Sequence, residues 1–192
     1  TIQSSWKFYD SFEEGDIRRT NLIAEYTGTD GVTYNRDNPA NYMQLGPLPL
    51  KIAADADRST GLTTVDIIQY RFADVLLSKA EALANMNGGG TQEAIDLVNI
   101  VRERAQIPPL ELTGHTDIDS FNTMILLERS HEYWCENGQY RSDLIRHGKY
   151  VEYANDLNGV SSESAPYKVL FPFSLERISE GKGAFLQNPG YN

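Results

Sequence analysis

The sequence predicts a mainly α-helical protein built on tetratricopeptide-like helix pairs, with irregular loops and little β structure. Three observations predict it. Apolar residues recur at steps of three or four from Ile68 to Leu83, they recur again from Ile95 to Val101, and Gly88, Gly89 and Gly90 separate the two runs.

The first run, Ile68, Phe72, Val75, Leu76, Ala80 and Leu83, forms one stripe of a helix. The three glycines end it in a flexible turn; they lack the Lys-Ser/Thr that completes a phosphate loop. Thr91 caps the second helix, because its hydroxyl accepts from an unpaired early N–H. That helix presents Ile95, Val98 and Val101 or Arg102 and runs to about Ala105, with Pro108 and Pro109 blocking continuation beyond Ile107. Small residues at Ala80, Ala82, Ala84 and Ala94 let the axes approach closely, as tetratricopeptide pairs do. One pair cannot bury its own face, so another element must cover it.

A third helix begins from Asp117, with Asp117 or Thr116 as its cap, carries Phe121, Met124, Leu127, His131 and Trp134 on one face, and ends near Gly138. Glu128, Glu132 and Glu136 stack at i, i+4 and i+8, and Arg129, Arg141 and Arg146 are the local cations to answer them. Paired acids also suggest a glycosidase, but acids on one helix side form no cleft. The string His131-Glu132-Tyr133-Trp134-Cys135 is one letter short of a zinc-protease pattern. A hydrogen-bonded core role for His131 and a small buried hydrophobe at Cys135 explain it better, and no third ligand is spelled out. His115 and His147 have no evident special role. A fourth helix covers Tyr140 to about Tyr153, then a surface loop runs from Asn155 to Pro166. Tyr167 to Phe173 is β-prone but interrupted by Pro172, and the chain closes in a packed turn from Phe185 to Tyr191.

The front of the chain differs. A short helix over Trp6 to Phe12 and a strand over Asn21 to Thr27, with turns at Gly28 and Asp30-Gly31, are its only regular expectations. The organisation is therefore one domain, with an irregular aromatic-rich segment at 1–64, a helical core at 65–148, and a loop and packed tail at 149–192. Aromatic faces in such loops can stack on sugar rings while Asn35, Asn38 and Asn41 bond hydroxyls, but a loop pinned by its own aromatics is the stronger explanation. Asp55 to Gly61 with Asp66 resembles a calcium loop, but its glycine stands one place late and the last ligand is Asp, so a solvated turn explains it better and no metal is assigned.

Composition narrows the functions. With 192 residues and 40% apolar content the chain is globular. A net charge of -10, from 27 acidic against 17 basic residues, repels a phosphate backbone, so nucleic acid is set aside. Cys135 is the single cysteine and forms no internal disulfide, no apolar run reaches membrane-helix length, and the start at Thr1 suggests a processed product or a piece of a longer protein.

Several separated segments, in one order, resemble the SusD/RagB family of outer-membrane nutrient-binding lipoproteins of Bacteroidetes. They are Tyr70-Arg71-Phe72-Ala73-Asp74-Val75-Leu76-Leu77 with Lys79-Ala80-Glu81-Ala82-Leu83; Val98-Asn99 with Val101-Arg102 and Arg104-Ala105; Glu128-Arg129, Glu132 and Glu136, then Arg141 and Asp143-Leu144-Ile145-Arg146 with Gly148; and Pro172 with Gln187-Asn188-Pro189-Gly190-Tyr191. Phe12, Asp16, Arg18, Arg19 and Lys51 match more loosely. The segment Glu136-Asn137-Gly138-Gln139-Tyr140-Arg141 departs from the family pattern by an extra residue and by Tyr140 in place of an arginine.

The resemblance implies a non-enzymatic glycan-binding (or other nutrient-binding) protein, held on the outer membrane as a surface lipoprotein and partnered by a SusC-like TonB-dependent transporter, with no cofactor. Arg71, Asp74, Arg102, Glu128, Arg129, Arg141 and Asp143 are expected as paired charges locking helix ends together. Sugar contacts from this chain are expected at Trp6, Tyr34 and Tyr42. The rival readings are a tetratricopeptide-like protein-interaction module without small ligand and, behind it, a glycosidase or a metal hydrolase through His131 and Cys135.

Overall fold

The computed structural model describes residues 4–41, 43–52, 65–136, 138–158 and 164–191. Tyr42 and the calcium-like run 55–61 therefore lie outside the described residues, as does part of the loop after Asn155. The chain divides into two compact units, Thr1–Tyr140 and Arg141–Asn192.

The first unit opens with helix α1 (Trp6–Asp10), capped by Ser5, whose hydroxyl accepts from the Phe8 amide at 3.1 Å. A 3-10 turn over Ile17–Asn21 follows, capped by Asp16. The single strand expected at Asn21 to Thr27 is two. β1 (Leu22–Ile23) pairs antiparallel with β4 (Leu48–Pro49), and β2 (Tyr26–Thr27) pairs antiparallel with β3 (Thr33–Tyr34) across a turn in which Gly31 takes φ 78°.

The helical pair is α2 (Phe72–Asn87) and α3 (Gln92–Arg104). Helix α2 starts later than its periodicity suggested, and it buries Ala73, Leu76, Leu77, Ala80 and Ala84. Phe72 and Val75, expected in the core, are 72% and 61% exposed. The alanine edge wins because it lets α3 and the next helix approach closely, which bulky Phe72 would prevent.

The glycine turn is packed rather than flexible. Gly88 caps α2 in the left-handed region at φ 70°, and a side chain on Gly89 or Gly90 would collide with the backbone carbonyls of Thr116 and His115. Thr91 Oγ1 accepts from the Ala94 amide at 3.2 Å and starts α3.

Helix α4 (Ile118–Tyr133) is capped by Asp117, which accepts from Asp119 and Ser120 amides at 3.1 and 2.9 Å. It ends before the expected Gly138: Trp134 leaves helical geometry at ψ 139° and Cys135 is left-handed at φ 58°. Phe121, Ile125 and Tyr133 close the main core against Leu77, Ile95 and Val98. A second cluster joins Phe12, Leu22 and Trp134, with Phe8 and Tyr9 against it.

Helix α5 (Gln139–Arg146) carries the chain into the second unit, and α6 (Tyr150–Asn158) comes next. The one helix expected over 140–153 is broken at Gly148, left-handed at φ 67°, where the Lys149 amide turns back to Leu144 O at 2.7 Å. Pro166–Val169 is a 3-10 turn, and α7 (Leu175–Glu180) is capped by Ser174. The β-prone stretch forms no strand. Instead Gln187 grips the Phe173 backbone, accepting from its amide at 2.8 Å and donating to its carbonyl at 2.9 Å. Asn188 and Tyr191 donate to the carbonyls of Phe171 and Leu170.

Candidate functional site

The last two turns of α4 and the residues just after them carry Glu128, Glu132 and Glu136, and every one meets cations from distant segments. Glu128 accepts from Arg18 Nη1 at 2.6 Å and from Arg102 Nη1 at 3.1 Å. Glu132 accepts from Arg71 Nη1 at 2.6 Å and from Arg104 Nη2 at 2.6 and 2.5 Å, with Arg18 at 3.3 Å. Glu136 takes Arg71 Nε at 2.9 Å and Lys51 Nζ at 2.5 Å. Behind them Asp16 holds Arg18 at 2.7 Å and Glu13 holds Arg102 at 2.8 Å. Burial disfavours all these charges, so each requires its partners. Burial alone would raise the Glu132 carboxyl, yet Arg71 and Arg104 hold it below the usual range; Asp16 and Glu128 raise the Arg18 guanidinium against the same burial.

The sequence neighbours named to answer the glutamates are engaged elsewhere. Arg129 reaches Asp74 at 3.1 Å and Ser78 at 3.2 Å, and lies over the Tyr133 ring. Arg146 pairs with Asp143 at 2.9 Å. Arg141 donates to the Val169 carbonyl at 3.0 Å and covers the Phe171 and Tyr150 rings. On a helix a carboxylate's partners need not be near in sequence, and here the answering cations come from Arg18, Lys51, Arg71, Arg102 and Arg104. Arg18, Lys51 and Arg104 matched only the family pattern; no residue-level signal marked them as a cluster.

His131 and Cys135 lie in different surroundings. His131 is buried, stacks on Phe12 with centroids 4.1 Å apart, and shares a 2.9 Å hydrogen bond with Ser11 Oγ. Burial, with Arg18 nearby, lowers its pKa to about 4, so it is neutral at pH 7. Cys135 lies past the helix end and is exposed, contrary to the buried hydrophobe expected, because the left-handed turn at its own backbone points the chain away.

The aromatic front is engaged with itself. Trp6 has Arg36 over its ring at 4.3 Å and Tyr9 at its edge. Tyr34 stacks on Tyr26 and donates to Asp30 at 2.6 Å. Asn35 and Asn38 spend their amides within the front segment: Asn35 donates to Glu25 and accepts from the Asn38 backbone amide, and Asn38 donates to Thr33 O. Trp6 and Tyr34 thus belong to separate aromatic pairs.

Beside the charge cluster lies a groove of about 360 Å³, at the small end of ligand-sized pockets. Arg104, Arg71, Lys51 and Trp134 line it together with Ile17, Ile52 and Ile68. Lys51 sits over the Trp134 ring at 5.2 Å.

A helix hairpin stacked on a third helix, with its buried charges neutralised in one shared network, defines a helix-pair scaffold protein of the tetratricopeptide-like class. The chain belongs to the SusD family, whose profile matches residues 2–191. A SusD-like protein P38 of Formosa agariphila is 34% identical over 119 residues, 59% of this chain and 23% of the relative. A SusD superfamily crystal structure from Parabacteroides distasonis superposes with TM-score 0.70 at 25% identity, covering 100% of this chain and 42% of that one. A surface glycan-binding protein A from Bacteroides thetaiotaomicron shares the fold, with TM-score 0.63 and 20% identity over 97% of this chain and 41% of that one. The chain thus spans less than half the length of these relatives.

Proposed function

We propose that this chain is the helical scaffold portion of a non-enzymatic, cell-surface glycan-binding protein that delivers oligosaccharide to a SusC-like TonB-dependent transporter of the outer membrane. The observation that carries the reading is the family match over nearly the whole chain. The glutamates of α4 support it, since each carboxylate is committed to guanidinium or ammonium partners and none stands ready as a general acid. Sugar contacts from this chain come from Trp6 and Tyr34, and from Tyr42 outside the described residues. The same family reading supports a lipid-anchored position at the outer membrane. Among the described residues no helix is long and apolar enough to cross a membrane.

Calorimetry of the full-length precursor against an oligosaccharide panel tests this. Micromolar to millimolar affinity without product formation, together with co-purification of a barrel transporter, is the expected result. Turnover of any oligosaccharide overturns it.

The second reading, a protein-interaction module without small ligand, has the bare face of α2 in its favour, where Phe72, Val75 and Met86 are 72%, 61% and 83% exposed. A stable protein complex with no sugar affinity at all is the outcome that selects it.

A further inference from the structure

On the rim of the groove beside α4 a cation faces outward. Glu132 and Glu136 lie beneath it with side chains 2% and 8% exposed, whereas Arg104 on the rim is 56% exposed. Arg104 spends only Nη2 on Glu132, and its Nε and Nη1 donors bond nothing among the described residues. Every other guanidinium donor group facing the groove, on Arg18 and Arg71, already ends on a carboxylate or carbonyl. Asn21 also lines the groove. Its Nδ2 donates to Arg18 O at 3.4 Å, and its Oδ1 accepts from no described group. Ile17, Ile52 and Ile68, at 38%, 52% and 44% exposed, form the apolar wall.

These groups set three requirements on an occupant. Open guanidinium donors on the rim favour a carboxylate or sulfate oxygen, which bonds to them more strongly than a neutral acceptor does. The Asn21 oxygen takes a hydroxyl. The isoleucines take a flat C–H face. An acidic sugar carries all three within the small volume available, whereas an acidic peptide brings backbone amides for which the groove offers few partners.

We propose that this groove binds an acidic sugar, its carboxylate or sulfate ester seated on Arg104 and its apolar ring face on Ile17, Ile52 and Ile68. The inference rests on the glycan-binding reading and adds to it a second sugar subsite, whose lining includes neither Trp6 nor Tyr34, that selects by charge.

The test is calorimetry of this chain at low salt with four probes: trigalacturonate, a sulfated carrageenan disaccharide, uncharged maltotriose and triglutamate. At least one acidic sugar is expected to bind tenfold or more tightly than maltotriose, with binding weakened by salt. Arg104→Gln should remove most of that preference, since Glu132 keeps Arg71 and Arg18 and the fold is retained; Arg177→Gln, on an exposed arginine of the second unit, should change nothing. Asn21→Ala, expected to cost about threefold for the acidic sugar, locates the binding in this groove if Arg104→Gln proves unstable, with the salt dependence then reporting the charge selection. Equal affinity for acidic and neutral sugars, an unaffected Arg104→Gln variant, or triglutamate binding as well as the sugars overturns the inference. Maltotriose binding alone removes the charge selection and leaves the glycan reading standing. If neither sugar class binds, both fall for this chain.

Discussion

Arg71 ties the start of α2 to the end of α4 through Glu132 twice over: Nη1 meets the Glu132 carboxylate at 2.6 Å, and Nη2 donates to the Glu132 backbone carbonyl at 2.9 Å. The side chain thereby satisfies an orphan carbonyl at the helix end and neutralises a buried charge at once. Arg71 sits at the cap position of α2 without capping it by its side chain, which is free for this work.

Removing that guanidinium leaves Glu132 on Arg104 and Arg18 and Glu136 on Lys51, so no carboxylate is left uncompensated. Arg71→Ala should therefore cost roughly 1.5–3 kcal/mol in urea unfolding, the range for hydrogen bonds to charged groups. Pairing it with Glu132→Gln in a double-mutant cycle should return a coupling energy above about 1 kcal/mol. Additive losses would show that the two side chains do not act together.

The glycine turn makes a contrast between near neighbours. Gly89→Ala must displace the Thr116 backbone and should destabilise by about 2 kcal/mol or more, whereas Gly114→Ala meets nothing within 4 Å and should be nearly neutral. Thermal melts of the two variants separate a packed turn from a flexible one.

His131 should make the fold acid-sensitive. Its pKa is about 4 in the fold and 6.5 ordinarily, so between those values the unfolded chain binds the additional proton and stability falls as pH drops. Ser11, Phe8, Phe12, Arg18, Asp16 and Arg102 surround it, and none supplies enough negative charge to reverse the burial effect. The full loss is roughly 3 kcal/mol at about 1.4 kcal/mol per pKa unit. Denaturant titrations at pH 7 and pH 4.5 should differ by an appreciable part of this, and His131→Gln should flatten the dependence; an unchanged slope in the variant would assign it to the carboxylates instead.

The grip of Gln187 on Phe173 predicts a local effect in the second unit. Gln187→Ala should raise hydrogen exchange at the Phe173 amide roughly tenfold, the loss of about 1.4 kcal/mol of local stability. Gln187→Glu keeps the acceptor and should preserve that protection while losing the bond to the Phe173 carbonyl.

Short-range chemistry was legible in the linear chain. The caps at Thr91 and Asp117, the stop at Pro108 and Pro109, the helical class and the family could all be read there, because capping and backbone restriction act within a few residues. Partner choice was not. Helix α2 carries apolar residues on more than one side, and only the approach of α3 and α4 selects Ala73, Leu77 and Ala80 over Phe72 and Val75. Nor did spacing reveal that Glu132 would be met by Arg71, Arg104 and Arg18, up to 114 positions away. The sequence by itself determined the helical character of α2, α3 and α4 and the starts of α3 and α4. Tertiary structure alone decided which faces are covered, where α4 ends and which cation answers which carboxylate, since burial and charge neutralisation are long-range and settle only when distant segments meet.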